Sequence, residues 1–534
     1  MNKRLKIILS LVVLFAVFLL ALPYYMGVKA KQTLDKQFSL IQNTSWLEVV
    51  SHDYQRGWFS STEVTTVKIK PSVIAAYKDM LPEQLKALVD KSVTYTNVIH
   101  HGPFPRLTSF VFEPGNAYVR TQFSYTEDTR KTLSRFFQDK EPITITNHLN
   151  FTGGGQLQLT IPNFDYSELS GIKVNWKGLQ YQLDYQQNYE HYQVKANTAG
   201  LEVILADKGQ LIFKDMAYEN ETHTGQTGIN LGKNKFSLAT LNLGWKEGIN
   251  YHIQLNEVLS LLTKIQVGSF INPTGKIGPA ELTLNNLKYE ADIGEQDKFI
   301  NAVGQFSFDK LTYGNEVYGP LQIKISGEHL DGISLHALSN KLGEIATQNL
   351  GQDEAREAIL NAAKKEGLGL WENDPVINIE TFKLKMPSGL LDVKGKVAFN
   401  NITEADLEDF NALVAKINLN MELYVPQKAL ESLAAAQADM IFSVDERAED
   451  QPDMEEIKNL ASGMISSFVS AWEQEGYLTL DGGIIHTTLQ LKNDQFTING
   501  KKFEVQDDSE ILDSFDEEDQ TATASEVKES SSAP

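Results

Sequence analysis

The 534-residue chain has no cysteine and only 16 prolines, and its basic side chains are outnumbered 48 to 70, giving a net charge of −22. Without cysteine there can be no disulfide framework, thiolate zinc site, cysteine nucleophile or acylated-cysteine anchor. The acidic balance, with no basic run beyond the first few residues, works against a polyphosphate partner, so no nucleic acid is expected. The familiar chemical motifs are also missing. There is no GxxxxGK[ST], no HExxH and no GxSxG. Gly153-Gly154-Gly155 precedes a strand and reads as a turn, and Gly225, Gly228 and Gly232 are wrongly spaced for a dinucleotide fingerprint. Ser307-Phe308-Asp309-Lys310 has the SxxK spacing but lies in an alternating segment, which sends Ser and Lys to opposite faces. The neighbours His100 and His101 are separated in the same way, which spoils joint metal ligation. The Asn-x-Ser/Thr strings at Asn43, Asn150, Asn220 and Asn401 carry no argument. No catalytic, cofactor-binding or metal-binding residue is assigned, no cofactor is expected, and the chain reads as a non-enzyme.

What is present begins at the N-terminus. After Lys3, Arg4 and Lys6, the segment Ile7–Met26 runs for 20 residues without a charge. A helix of that length spans about 30 Å at about 1.5 Å per residue, which matches a bilayer core. A cleaved signal would have a shorter apolar stretch and a small-x-small site, whereas here the run ends in Pro23-Tyr24-Tyr25-Met26 and the only candidate site is Val28-Lys29-Ala30. An uncleaved anchor over residues 1–28 is therefore expected, with the tyrosine pair at the interface. Basic residues flank the run on both sides (Lys29, Lys31 and Lys36 follow it), so charge bias leaves orientation undecided. The lack of cysteine leans towards a bacterial inner-membrane protein with its body in the periplasm.

From about Asn43 the dominant period is two. Leu157, Leu159 and Ile161 alternate with glutamine and threonine, and the pattern returns at Tyr181, Leu183 and Tyr185, at Leu201, Val203 and Leu205, and at Leu241, Leu243 and Trp245. Turn signals separate these runs without intervening helices, which predicts an antiparallel meander with one dry face. The spacing predicts helical inserts over Ser72–Lys91, with Pro82 at a break or at the start of a second helix, and over Glu127–Gln138. The β stretch reaches about His336. A helix is predicted over Leu338–Lys365, strands over Val376–Met386, Leu391–Phe399 and Ile417–Val425, and helices over Gln427–Asp439 and Met454–Glu473. Strands return around Leu478–Leu480, Thr487–Leu491 and Phe496–Ile498. The expected fold is thus α+β and β-dominated: a long antiparallel, twisted or curled β-sheet with helical inserts, after a single N-terminal transmembrane helix. It divides into an anchor (1–28), a β-rich periplasmic region (29–337), an α+β region (338–506) and an acidic tail (507–534). The tail carries −9 of the total charge and is expected to be disordered.

Three strings carry a resemblance. Tyr54-Gln55-Arg56-Gly57-Trp58-Phe59-Ser60-Ser61 resembles the Y-x-R-G-W/L-F-S-S element of the YdgA-type bacterial envelope proteins, and Ile99-His100-His101-Gly102-Pro103-Phe104-Pro105 resembles their HGP element. Gly476-Tyr477, together with Phe496-Thr497-Ile498-Asn499-Gly500, resembles their C-terminal strands. The resemblance implies an inner-membrane, largely periplasmic protein of unknown function, with self-association and no enzyme activity. The residues themselves read as structural. Gly57 permits a bend, Trp58 and Phe59 bring apolar area, and Gly102-Pro103 fixes a turn in which either X-Pro bond is a candidate for cis.

The function expected is a non-enzymatic envelope role through protein partners or self-association, in assembly or homeostasis. The alternative is a carrier or bridge for lipid or another hydrophobic ligand, using an apolar β-groove as in AsmA-like architectures. The expected partners are the inner membrane through Ile7–Met26, a second copy of the chain, and a lipid. Whether helices cover the apolar sheet face separates the two readings.

Overall fold

The computed structural model describes residues 3–44, 46–71, 74, 91–245, 281–314, 316–348, 350–442 and 454–503, with residues 3–20 described by backbone alone. The helix expected over Ser72–Lys91 and the acidic tail lie outside the described residues.

The chain opens with α1 (Lys3–Gln42), β1 (Leu47–Arg56), β2 (Ser60–Ile69), β3 (Val93–His101), β4 (Ala117–Ser124) and α2 (Glu127–Phe137). A run of strands follows: β5 (Thr144–Leu149), β6 (Gly155–Ile161), β7 (Phe164–Ser167), β8 (Ile172–Trp176), β9 (Leu179–Tyr185), β10 (His191–Leu205), β11 (Gly209–Thr224) and β12 (Asn230–Trp245). It continues with β13 (Glu281–Gln296), β14 (Phe299–Phe308), β15 (Lys310–Tyr313), β16 (Glu316–Tyr318) and β17 (Leu321–Asp331). The last part holds α3 (Gly332–Thr347), α4 (Gln352–Lys365), α5 (Leu368–Glu372), β18 (Val376–Met386), β19 (Gly389–Phe399), α6 (Phe410–Ala415) and β20 (Ile417–Pro426). It closes with α7 (Gln427–Phe442), α8 (Met454–Gln474), β21 (Thr479–Asp481), β22 (Ile484–Lys492), β23 (Gln495–Ile498) and β24 (Lys501–Lys502).

Among the described residues all 24 strands belong to one sheet, and they pair antiparallel throughout. Sequence neighbours pair from β1 to β6, β6 pairs with β9, and the meander continues through β10, β11, β12, β13 and β14. β14 then joins β17, and β18, β19, β20, β22, β23 and β24 follow in turn. The pairing of β17 with β18 carries the sheet across residue 338 without interruption. The sheet is open, with β1 at one end and β24 at the other.

Directly opposed residues share a face, so the registers trace one row across the molecule. Leu159, Tyr181, Ala196, Tyr218, Phe236, Tyr289, Phe306, Ile323, Phe382, Val393 and Leu423 lie in that row. The alternation in the sequence is this face. Its centre is a cluster of fully buried side chains, including Leu282, Leu284, Phe308, Leu311, Leu321 and Leu384, drawn among the described residues from β11 to β20 with Ala429 of α7.

A line of kinks crosses the sheet at one level. In β10 to β13 the residues Ala199, Asp215, Ala239 and Asn286 fall opposite one another between paired positions. The line extends through Gly178 between β8 and β9, Asp309 between β14 and β15, and Gly319-Pro320 between β16 and β17. Asp215, Asn286 and Gly319 adopt positive φ of 50°, 53° and 111°, a region that Asp, Asn and Gly enter most easily. At this level the apolar spacing steps once by three: Phe213 to Met216, Leu238 to Leu241, Leu284 to Leu287, Phe308 to Leu311 and Tyr318 to Leu321, all within the same cluster. Each strand accommodates an extra residue, and because its neighbours do the same, both the pairing and the apolar face survive.

The helices sit at the margins. α2 starts at an N-cap in which Thr126 accepts from the Thr129 amide, and Phe136 packs on Phe164 and Tyr166. The β stretch ends at Asp331, not near His336, and the helix expected over Leu338–Lys365 is two helices, α3 beginning at Gly332 and α4 at Gln352. The cause is a cap: the Asp331 carboxylate, held by Lys298 at 3.1 Å, accepts from the Ser334 amide at 3.0 Å. Ile333 is exposed, so the apolar residues at the start of α3 imitate strand alternation. α3 and α5 touch the end of β17, and α4 packs on them. α7 and α8 pack together, with Leu430, Ile465, Val469 and Trp472 against Leu478, Leu480 and Ile485. Among the described residues the central cluster is built by strands, with Ala429 of α7 at its edge.

Replacing the fully buried Leu321 by alanine is expected to cost about 2–5 kcal/mol. Leu390→Ala, at a site 45% exposed, is expected to stay within about 0.5 kcal/mol. Urea unfolding of the two variants checks both values.

Candidate functional site at the helix-sheet seam

α1 lies against the first strands with Pro23, Met26, Gly27, Ala30 and Leu34 buried, a helical step of three or four residues. Its upper grip is made by the two N-terminal motifs. The imidazole of His101, at the end of β3, has Nδ1 at 2.9 Å from the Pro23 carbonyl and Nε2 at 3.2 Å from Ser61 Oγ. A carbonyl can only accept, so Nδ1 carries the proton and Ser61 donates to Nε2. Burial holds the imidazole's pKa below its ordinary value. Gly27 packs so closely that a Cβ there would lie 2.7 Å from the ring. Arg56 hydrogen-bonds the Tyr24 hydroxyl and stands 4.4 Å from the centre of its ring, and Trp58 meets the same ring at 5.1 Å.

Local backbone geometry brings these side chains together. In the β1–β2 turn the Gly57 amide donates to the Ser60 carbonyl at 2.9 Å, and a Cβ on Gly57 would lie 2.5 Å from that oxygen. The His101 amide donates to the Phe59 carbonyl, which ties the two motifs to each other. Gly102 takes a φ of 138°, and its amide donates to Asn116. Both candidate X-Pro bonds here are trans, and among the described residues the cis bond is Gly319-Pro320.

Below this grip Ala30 and Leu34 meet Ile99, Ala117, Val119 and Leu149, with Tyr54 packed alongside and the Lys31 ammonium 5.0 Å from the Tyr54 ring centre. The lowest contact is polar. Gln37 donates to the Tyr185 hydroxyl at 3.0 Å, Tyr185 donates to Asn147 Oδ1 at 2.9 Å, and Asn147 donates back to Gln37 Oε1 at 3.3 Å. Burial pushes the Tyr185 phenol up to about 12. Phe38 stacks on His52 at 3.7 Å.

The face of β2 towards this seam is polar: Ser61, Glu63 and Thr65 are buried there. Glu63 accepts from Asn97 at 2.7 Å, Asn97 accepts from Thr121 at 2.7 Å, and His52 Nε2 stands 3.8 Å from Glu63. Burial raises the Glu63 carboxyl above its ordinary pKa. A buried acid beside a histidine is the nearest approach to an acid-base pair in the seam. It lines none of the described cavities, however. One of them, of about 400 Å³, lies among His148, Gln156, Asp184, His191, Gln193 and Glu221. Among the described residues no group of three or more His, Asp or Glu could hold a metal ion.

The structure therefore brings Tyr54, Arg56, Gly57, Trp58, Phe59, Ser60, His101, Gly102 and Pro103 together and leaves Asn499 and Gly500 elsewhere. Those two form the β23–β24 turn with φ of 52° and 77°. There Asn499 Nδ2 donates to the Gly476 carbonyl at 3.3 Å, so the two C-terminal strings meet each other at the far end of the sheet. His100 and His101 do point to opposite faces. Sequence reasoning missed Pro23, Gly27, Gln37, Glu63 and Tyr185. The small residues Gly27 and Ala30, one helical step apart, were the available signal, whereas Ser-Ser-Thr-Glu reads as a solvated strand.

Gly27→Leu is expected to push His101 aside and loosen the upper grip, seen as faster amide exchange over residues 24–34, while Gly27→Ala combined with His101→Ala recovers part of the protection. The pH dependence has two opposite parts. His101 titrates lower in the folded chain, so its contribution is full above pH 6.5 and is lost as pH falls through the folded value. Glu63 titrates higher, so its contribution is full at acid pH and is lost as pH rises above the ordinary 4.5 through the folded value. Glu63→Gln should remove the second part and leave the first, and His101→Gln the reverse, in unfolding curves recorded across this range.

Among the described residues no helix is long and apolar enough to cross a membrane, and Ile7–Leu20, most of the candidate span, belongs to the part of α1 described by backbone alone. The chain is 22% identical to Protein YdgA of Escherichia coli (strain K12), over 95% of this chain and 96% of that protein. No solved structure matches. Residues 1–506 match the family described as Bacterial protein of unknown function (DUF945), and the chain belongs to that family.

Proposed function

We propose that the protein is anchored in the bacterial inner membrane by Ile7–Met26, holds its body in the periplasm, and serves envelope assembly or homeostasis without chemistry of its own, through protein partners or self-association. The observation that carries this reading is the use made of the motif residues. His101, Ser61, Arg56, Trp58 and Gly102 surround Pro23, Tyr24 and Gly27 of α1 instead of lining a cavity. A helix whose first part is an uncharged 20-residue run is thereby fixed in direction relative to the sheet, which suits a tethered scaffold. An alkaline-phosphatase fusion to the C-terminus of the full chain is expected to be active, and an inactive fusion overturns the reading.

A second reading has its own observation. The apolar face continues from the seam through Tyr181, Tyr218 and Phe236, which are only half-buried, before it reaches the buried central cluster. This favours an acyl chain or other hydrophobic ligand lying along the face. A photo-crosslinking residue in place of Tyr218, on the apolar face, should capture lipid in cells, and one at its neighbour Glu219 should not. Equal or absent capture at the two positions removes the carrier reading.

A further inference from the structure

The end of the sheet at which α1 emerges carries exposed apolar residues, of which Trp58 also packs on Tyr24 in the seam. β1 ends and β2 begins there, as do β3 and β4, so the β1–β2 turn and the β3–β4 loop share one end. α1 reaches that end at Pro23, which lies 3.7 Å from the position a Cβ would take on Gly102. Helix residues before Pro23 continue past the same end. Trp58 and Phe59 occupy the turn, and Phe104, Leu107, Phe110 and Phe112 occupy the loop, all exposed.

Water is a poor solvent for this loop. Phe110 is 90% exposed and Phe112 75% exposed. Phe110 also holds a left-handed φ of 57°, which a bulky side chain adopts only at a cost. Its amide donates to the Leu107 carbonyl at 2.9 Å, and Arg106 bonds Glu113 at 2.9 Å, so the loop is built in this form. Arg56 and Arg106 stand over the rings of Tyr24 and Tyr118 beside it. Rings with arginines at their margin form the composition that settles at the boundary between headgroups and acyl chains.

We propose that the β1–β2 turn and the β3–β4 loop are a membrane-docking surface, inserted into the interfacial layer of the same bilayer that α1 enters. The inference rests on the anchoring reading above and deepens it. The helix alone would let the body tilt, and the two aromatic loops give it a second point of attachment. The occupant is a lipid surface because continuity of the chain places the uncharged run immediately beyond this end. At the opposite end of the sheet the turn after β7 also exposes an apolar side chain, Leu169, without a neighbouring helix leading to a membrane.

The lack of cysteine makes the test direct, since each introduced cysteine gives a single label site. Full-length chains carrying Phe110→Cys, Phe112→Cys, Leu169→Cys or Leu14→Cys are nitroxide-labelled and reconstituted in phosphatidylethanolamine-phosphatidylglycerol vesicles. Accessibility to oxygen is then compared with accessibility to a water-soluble nickel chelate. Labels at 110 and 112 are expected to favour oxygen several-fold more than the label at 169. If 110 and 112 match 169 while 14 lies in lipid, the docking surface is overturned and the anchor stands. If the label at 14 is itself in water, the anchor reading fails and the docking surface fails with it.

Discussion

A sheet that is apolar on one side must bury that side, and the rest of the molecule follows from how this is done. Across the first strands α1 provides the cover, with Gly27 and Ala30 allowing close approach. At the far end α7 and α8 pack as a pair beside β20 and β22 through Val469, Trp472 and Ile485. In between, Leu284, Leu287, Phe308 and Leu311 belong to a cluster contributed almost wholly by strands. The long central meander is thus fastened at both ends by helices and consolidated in the middle by its own side chains.

The seam under α1 divides its labour. Ala30 and Leu34 supply apolar contact, which is not directional. Direction comes from buried polar groups: His101 with Pro23 and Ser61, and the ring of Gln37, Tyr185 and Asn147. A helix slipped by one residue would leave these donors and acceptors unmade in a dry place, at a cost of about 1–3 kcal/mol each. The polar face of β2, with Glu63 held by Asn97, fits the same logic, since a network of this kind tolerates one arrangement.

Much of this was legible in the sequence, for physical reasons. Period-two apolar spacing at Leu157–Ile161 and Tyr181–Tyr185 reports a one-sided strand whatever its partners. The helices over Glu127–Phe137 and Met454–Gln474 answer to those expected over Glu127–Gln138 and Met454–Glu473. The motif residues read as structural, and the structure places His101 against α1 and Gly57 and Gly102 in the two turns beside it. The junction at Asp331 was hidden because an exposed Ile333 imitated strand alternation. Glu63 was hidden because nothing local distinguishes a buried polar strand from a solvated one, and only α1 on top makes the difference. The kink line was present in the sequence as the step from Leu238 to Leu241, but a single phase slip looks like the end of a run until its neighbours are aligned beside it.

That line of kinks also bears on how such a chain can change. A one-residue deletion at Ala239 alone would turn Leu241 and Leu243 outward while β11 and β13 kept theirs inward, so strand length here is held in common by the adjoining strands. Turns at the strand ends are free of this coupling. Divergence in length is therefore channelled into the loops, and the middle of the sheet can drift in sequence only by exchanging one side chain for another.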